Sequence, residues 1–373
     1  MSKKICLSSP HMSAEGYELH YIQDAFDKNW VAPLGENVNA FEDAVKEYLG
    51  NGYTTALTSG TAALHIALLE AGVGKGDMVF CQSLTFAACA NAIAYVGAEP
   101  VFIDSDRETW NMDPMALRRA IEIYGVPKAV LAVHLYGNPA KVAEITAICE
   151  EHGIIFIEDA AEAMGSTFGD RKCGTFGDYG ILSFNGNKII TASGGGMLVS
   201  REEAHAKHAL KLATQARENY PWYVHEEIGY NYRLSNICAG IGRGQMQVLD
   251  QRVAQKQAIF DRYRENLKDL PLQFQGQISV AISNRWLTAM VLDADCAVTP
   301  GKILEVLAAE KIEARHMWKP LHSQPVFASA KYVTADGESV CDDLFDRGIC
   351  LPSDTKMSME DVDRVCGLIK ALF

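Results

Sequence analysis

What this 373-residue chain lacks excludes several classes at the outset. It has no run of about 18 apolar residues, the length a membrane-spanning helix requires. Met1 to Pro10 carries Lys3 and Lys4 but not the apolar stretch of a secretory signal, so a cytoplasmic location is expected. Basic residues are in deficit: 34 Lys and Arg against 47 Asp and Glu give a net charge of −13. A field of that sign repels a nucleic-acid backbone, and no membrane partner is expected either. The ten cysteines contain no Cys-x-x-Cys pair, and a chain of this length needs no disulfide staples, so they read as reduced, small apolar residues. No His-x-x-x-His pair is present, and no metal is expected. Proline-rich linkers, low-complexity runs and internal repeats are absent as well.

What is present fits a soluble globular protein: 48% hydrophobic and 22% charged residues. At roughly 150 residues per domain the chain holds two or three. From Tyr53 to Val199, short apolar runs alternate with amphipathic stretches. Strands are expected at Thr54–Thr58, Met78–Cys81, Pro100–Ile103, Ala129–His134, Ile154–Glu158, Gly180–Ser183 and Gly196–Ser200. Helices are expected at Ala62–Ala71, Ala87–Val96, Pro114–Tyr124 and Ala140–His152. That alternation predicts an α/β fold with a mainly parallel sheet flanked by helices. Ligands of such sheets sit at the carboxyl ends of the strands. After Arg243 the texture shifts to a long charged helical pattern, Met246 to Leu270, then to mixed α/β sequence ending in a helix over Met359–Leu372. The expected division is a large domain over 1–245, then a linking helix and smaller domain over 246–373.

Three motifs fall at strand exits. Leu57-Thr58-Ser59-Gly60-Thr61-Ala62 breaks an apolar strand and opens a helix, whose free N–H groups and positive dipole end suit an anion; a plain Ser/Thr N-cap accounts for the same residues. Asp159 follows the apolar run Ile154–Ile157, where a carboxylate could hold a ring nitrogen protonated; Glu158 and Asp159 could equally cap the next helix. Lys188 lies in Ser183-Phe184-Asn185-Gly186-Asn187-Lys188 before the run Gly194-Gly195-Gly196, placed either for a Schiff base or simply for solvent. Two glycine runs carry less. Gly72-Val73-Gly74-Lys75-Gly76 precedes a strand, where a phosphate loop would follow one, and reads as a helix-to-strand turn. Gly240-Ile241-Gly242-Arg243-Gly244 follows no strand and is no dinucleotide fingerprint.

With these residues assembled, the chain resembles the DegT/DnrJ/EryC1/StrS family of sugar aminotransferases, fold-type I enzymes that use pyridoxal 5'-phosphate. The likeness covers nearly the whole length. It runs through Pro33-Leu34-Gly35 with Phe41-Glu42, Thr58 to Leu64, Thr85-Phe86, Asp159-Ala160-Ala161-Glu162, Ser183 to Lys188, Gly229-Tyr230-Asn231-Tyr232-Arg233-Leu234-Ser235, and Trp318-Lys319-Pro320-Leu321-His322. The resemblance implies that Lys188 binds the cofactor covalently and moves the proton, while Asp159 pairs with the ring nitrogen. It also implies that Phe86 stacks on the ring, that Gly60, Thr61 and Ser183 hold the phosphate, and that Glu162 lies near the phenolic oxygen. Asn231 is expected to reach the phosphate of the neighbouring subunit, making a homodimer with shared sites. Related sugar C3-dehydratases carry histidine in place of Lys188, so the lysine favours transamination.

The expected reaction moves an amino group from L-glutamate to C4 of a 4-keto-6-deoxy nucleotide sugar. The segment Trp318 to His322 resembles that of enzymes acting on UDP-4-keto-6-deoxy-N-acetylglucosamine. Alternatives are GDP-4-keto-6-deoxymannose, giving perosamine, and a non-catalytic sugar-binding regulator on the same fold. Arg233, Lys319 and His322 are expected to bind substrate, because local cations must attract a dianionic nucleotide sugar to an acidic protein.

Overall fold

The computed structural model describes residues 3–373. An eight-stranded sheet forms its centre, in the spatial order Tyr53–Leu57, Gly196–Ser200, Tyr179–Ser183, Ile155–Asp159, Ala129–Val133, Met78–Gln82, Glu99–Ile103 and Lys331–Val333. All seven expected strands are in it, displaced by a residue or so at their ends. Only Gly196–Ser200 runs antiparallel to its neighbours, returning beside Tyr179–Ser183 and pairing Leu57 with Gly196 on its other side. That return folds the Asn185–Gly195 loop back over the carboxyl ends of the parallel strands.

The crossover helices sit where the apolar spacing put them, and their ends are chemically marked. Ser59 caps Gly60–Glu70 by accepting from Ala62 N–H at 3.0 Å. Asp113 caps Pro114–Tyr124, with proline at the first helical position. Gly153 closes Val142–His152 in the left-handed conformation. The Gly72 to Gly76 run is a turn between helix and strand, with positive φ at Gly72 and Gly76. Both sheet faces are packed with apolar side chains, one around Phe41, Phe184 and Trp286, the other around Leu64, Ile66 and Leu131.

The expected long helix over Met246–Leu270 is present as Leu249–Leu267, and a separate helix, Asn236–Met246, precedes it across a break at Gln247–Val248. The glycine run before the break is helical. A Cβ on Gly242 would lie 2.6 Å from the Phe41 ring and one on Gly244 2.6 Å from Glu18 N, so glycine lets this helix touch Tyr17–Asp27 and Glu36–Leu49. Beyond residue 246 a four-stranded antiparallel sheet forms from Leu272–Phe274, Thr288–Leu292, Gly348–Leu351 and Arg315–His316. Helices Leu249–Leu267, Pro300–Ala309 and Met359–Lys370 cover it, and Ile5 joins their apolar core. Lys331–Val333, from this same stretch of sequence, instead pairs in parallel with Val101–Ile103 of the large sheet. Among the described residues no helix is long and apolar enough to cross a membrane.

Candidate active site

Strand periodicity sorts the two carboxylates at the end of Ile155–Asp159 to opposite faces. Glu158 turns away from the strand ends. It accepts from His134 Nε2 at 2.7 Å and from the amides of Phe176 and Gly177 at 2.8 and 3.2 Å, and Gly174 N–H also donates to it. Burial opposes its charge, but the bonds from His134 and these amides outweigh burial and hold its carboxyl below the usual range. His134, Glu158 and Cys173 converge within 4.8 Å, a cluster no sequence spacing betrayed. Nδ1 of His134 accepts Ala140 N–H at 3.0 Å, so both ring nitrogens are committed, and the cluster braces the loop behind the sheet.

Asp159 faces the other way, into a cavity of about 360 Å³ lined by Ser59, Gly60, Thr61, Thr85, Phe86, Glu162, Ser183, Asn185, Asn187, Lys188, Trp286 and Trp318. Its Oδ1 accepts Ala161 N–H at 3.0 Å and its Oδ2 the Cys89 thiol at 3.1 Å. Lys188 Nζ lies 3.5 Å from Glu162 Oε1 and 4.2 Å from the centre of the Trp286 ring. Burial raises the Glu162 carboxyl above its ordinary value; the Lys188 charge and the Tyr136 amide, 2.7 Å from Oε2, offset this only in part. Gly60 begins its helix so close to Ser183 that a Cβ would stand 3.2 Å from Ser183 Cβ. The first-turn amides, which have no intrahelical acceptors, and the Ser183 hydroxyl thus share one end of the cavity.

The donor set fits pyridoxal phosphate. Gly60, Thr61 and Ser183 present N–H and O–H groups to a phosphate, Asp159 offers a buried carboxylate to a protonated ring nitrogen, Lys188 offers an amine to the carbonyl, and the Phe86 ring lines the same space.

Four expected site residues lie elsewhere. Asn231 is exposed, bridged to Thr214 and outside its own chain's cavity. Arg233 is buried and committed: it is ion-paired with Glu42 through both terminal nitrogens and donates to Ala56 O at 3.1 Å, so substrate binding by Arg233 is withdrawn in favour of a packing role. His322 is likewise occupied, stacked 3.7 Å from the Tyr332 ring with Nδ1 2.7 Å from Ser83 Oγ and Nε2 near Asp342. Lys319 is exposed beyond the cavity wall.

Sequence reasoning gave no role to Trp286, to Asn187 within its motif, or to the lysine that ties them together. Lys256 Nζ, from the helix Leu249–Leu267, donates to Trp286 O at 2.9 Å, Ser353 O at 2.7 Å and Ser8 Oγ at 3.2 Å. Ser8 Oγ and Trp286 Nε1 both donate to Asn187 O, at 2.9 and 2.7 Å. The backbone next to Lys188 is therefore gripped from three parts of the chain. A lysine in a charged helix gives no signal of this.

Residues 13–370 match the profile of the DegT/DnrJ/EryC1/StrS aminotransferase family. A Bacillus subtilis (strain 168) protein, EpsN, provisionally described as a pyridoxal phosphate-dependent aminotransferase, is 52% identical over 379 residues, covering 100% of this chain and 97% of its own length. A GDP-perosamine synthase of Escherichia coli O157:H7 is 35% identical over 361 residues, 97% of each chain. A crystal structure of a DegT/DnrJ/EryC1/StrS aminotransferase from Brucella abortus superposes with a TM-score of 0.88 at 30% identity, covering 96% of this chain and 95% of that one.

Proposed function

The chain belongs to the DegT/DnrJ/EryC1/StrS aminotransferase family, pyridoxal phosphate-dependent transaminases of fold type I, and from that premise we propose that it moves an amino group from L-glutamate to C4 of UDP-4-keto-6-deoxy-N-acetylglucosamine. The observation that carries the transamination is the placement of Lys188 Nζ, 3.5 Å from Glu162 in the cavity that Asp159 also lines. The cofactor, when bound, supplies the electron sink for the carbon–hydrogen bond that breaks. Asp159 holds the proton on the ring nitrogen, its two oxygens oriented by Ala161 N–H and the Cys89 thiol. Lys188 Nζ takes and returns the proton at the carbon that loses or gains the amino group. Glu162, receiving from Lys188, keeps that amine aimed inward. Gly60, Thr61 and Ser183 hold the phosphate. Phe86 and Trp318, their ring centres 5.5 Å apart, both line the cavity.

Asn231 completes the neighbouring subunit's phosphate site in a cytoplasmic homodimer; its exposure away from its own cavity supports this. The segment Trp318 to His322 supports the UDP sugar. The similarity to GDP-perosamine synthases supports a second reading, GDP-4-keto-6-deoxymannose as acceptor. The test offers each sugar nucleotide separately to holoenzyme with L-glutamate and identifies products by mass and NMR. Amination of the UDP sugar upholds the proposal, and amination of the GDP sugar alone transfers it to the second reading. If neither reacts and L-glutamate leaves the cofactor's absorbance unchanged, the transaminase assignment of the site falls.

A further inference from the structure

Lys188 Nζ stands over the face of the Trp286 ring, 4.2 Å from its centre. The ring is fixed there from every side. Trp286 is 1% exposed, and its three polar groups are all engaged. Its amide donates to Asn284 Oδ1 at 2.9 Å, its carbonyl accepts from Lys256 Nζ at 2.9 Å, and its indole N–H donates to Asn187 O at 2.7 Å. The residue before it, Arg285, is held at φ 51°, a left-handed backbone that a non-glycine residue keeps only where its surroundings impose it. Across the amine from the ring is Glu162 Oε1, at 3.5 Å. The Lys188 and Glu162 side chains are 14% and 5% exposed, so little water competes for a charge placed between carboxylate and ring.

We propose that Trp286 is a catalytic residue of this site, its ring face holding the Lys188 amine in the charged form while that amine carries the proton. The inference rests on the assignment of Lys188 as the group that moves the proton. When the carbon–hydrogen bond breaks, its electron pair passes to the cofactor and the proton forms a third N–H bond on Nζ. On return that N–H bond breaks, and its electron pair stays on the nitrogen. The amine is therefore an ammonium only between the two transfers. A ring face attracts an ammonium through its quadrupole and has no such hold on a neutral amine. Trp286 thus favours the step that charges the lysine and releases it once the proton has gone. Glu162 serves this purpose less well, because burial raises its carboxyl above the ordinary range and makes it a competitor for the proton. The ring attracts the cation and offers the proton no site.

The test places tryptophan carrying one, two and three ring fluorines at position 286 in turn. Fluorine draws electron density from the ring face and keeps the N–H that Asn187 needs, so the fold should survive. Cofactor absorbance follows two rates: the half-reaction of holoenzyme with L-glutamate, and the capture of pyridoxal phosphate by apoprotein. Capture requires the neutral amine, whose lone pair attacks the carbonyl. The half-reaction should slow roughly threefold per fluorine, as an attraction to the ring face is withdrawn in steps. The deuterium isotope effect with 2-deutero-L-glutamate should grow in parallel, and capture by apoprotein should quicken. Disturbed packing slows both rates and cannot move them in opposite directions. Half-reaction rates and isotope effects that stay constant across the series overturn the proposal, and so do two rates that fall together. Lys188→Ala separates this inference from the assignment it rests on. Loss of the half-reaction in Lys188→Ala, with no response to fluorine at position 286, keeps Lys188 in its role and removes Trp286. A Lys188→Ala protein that reacts with L-glutamate at the native rate overturns both.

Discussion

Lys256 sits with its amine out of water, facing three oxygens, two of them backbone carbonyls; it donates to all three as an ammonium and to two once neutral. Burial pulls its pKa down to about 7, with Asp354 pulling weakly the other way. In the unfolded chain the same amine titrates near 10.5. Between those values the unfolded state binds the extra proton, so the folded state gains stability as pH rises from about 7 towards 10.5 and gains nothing further below or above. Lys256→Met leaves those oxygens without a donor, which costs about 1–3 kcal/mol for each buried one. The native protein should therefore melt above the variant, and the gap should widen between pH 7 and pH 9.5. A gap that is flat across that range would show that Lys256 does not lose its proton on burial. Because Trp286 and Ser8 both grip Asn187, the variant should also lose kcat more than KM.

Asp159 offers a cleaner residue-scale test, since its neighbours donate to it as a carboxylate. Asp159→Asn keeps the shape but cannot hold a proton on the ring nitrogen by charge. Transamination should fall by ~10²-fold or more, with the cofactor still bound by absorbance. Near-native turnover would remove Asp159 from its assigned role.

At the scale of elements, the phosphate end of the site depends on how closely the strand Gly196–Ser200 approaches the helix beginning at Gly60. A Cβ on Gly196 would lie 2.3 Å from the Ser59 carbonyl and 2.5 Å from Gly60 N. Gly196→Ala must push the helix start away from Ser183. Overpacking of this kind costs ~1–3 kcal/mol, and about 1.4 kcal/mol of it expressed at the site is a tenfold loss of cofactor affinity. Titration of apoprotein with pyridoxal phosphate should show that loss, whereas Gly186→Ala, whose Cβ would meet nothing nearer than Pro10 at 3.7 Å, should bind normally. Equal affinities would mean that this approach does not shape the phosphate site.

For the whole molecule, the proposed sharing of sites between subunits gives a test that a monomeric enzyme cannot pass. Lys188→Ala and Asn231→Ala would each cripple both sites of their own dimer. In the mixed dimer one site carries both changes and the other neither, so co-expressed variants should recover about a quarter of native activity by symmetry and random pairing. Activity that stays at background would place Asn231 outside the partner's site.

The sequence determined the parts of this protein that are written in local pattern. Apolar runs a few residues long, separated by amphipathic helices, fix the seven strands and the crossovers between them, because strand and helix periodicities are properties of consecutive residues. The placement of Asp159 and Lys188 at the cavity was legible for the same reason: one ends a strand and the other follows one, and strand ends are where such sheets bind ligands. Tertiary structure decided the rest. It used Arg233 to neutralise Glu42 and stacked His322 on Tyr332, and it drew Lys256, Trp286 and Ser8 around Asn187 from positions up to 278 residues apart. It also turned the Gly240–Gly244 run into a helix whose glycines serve close contact. Whether a cation meets a substrate or a buried carboxylate depends on which distant segments fold against it, and no local spacing encodes that encounter.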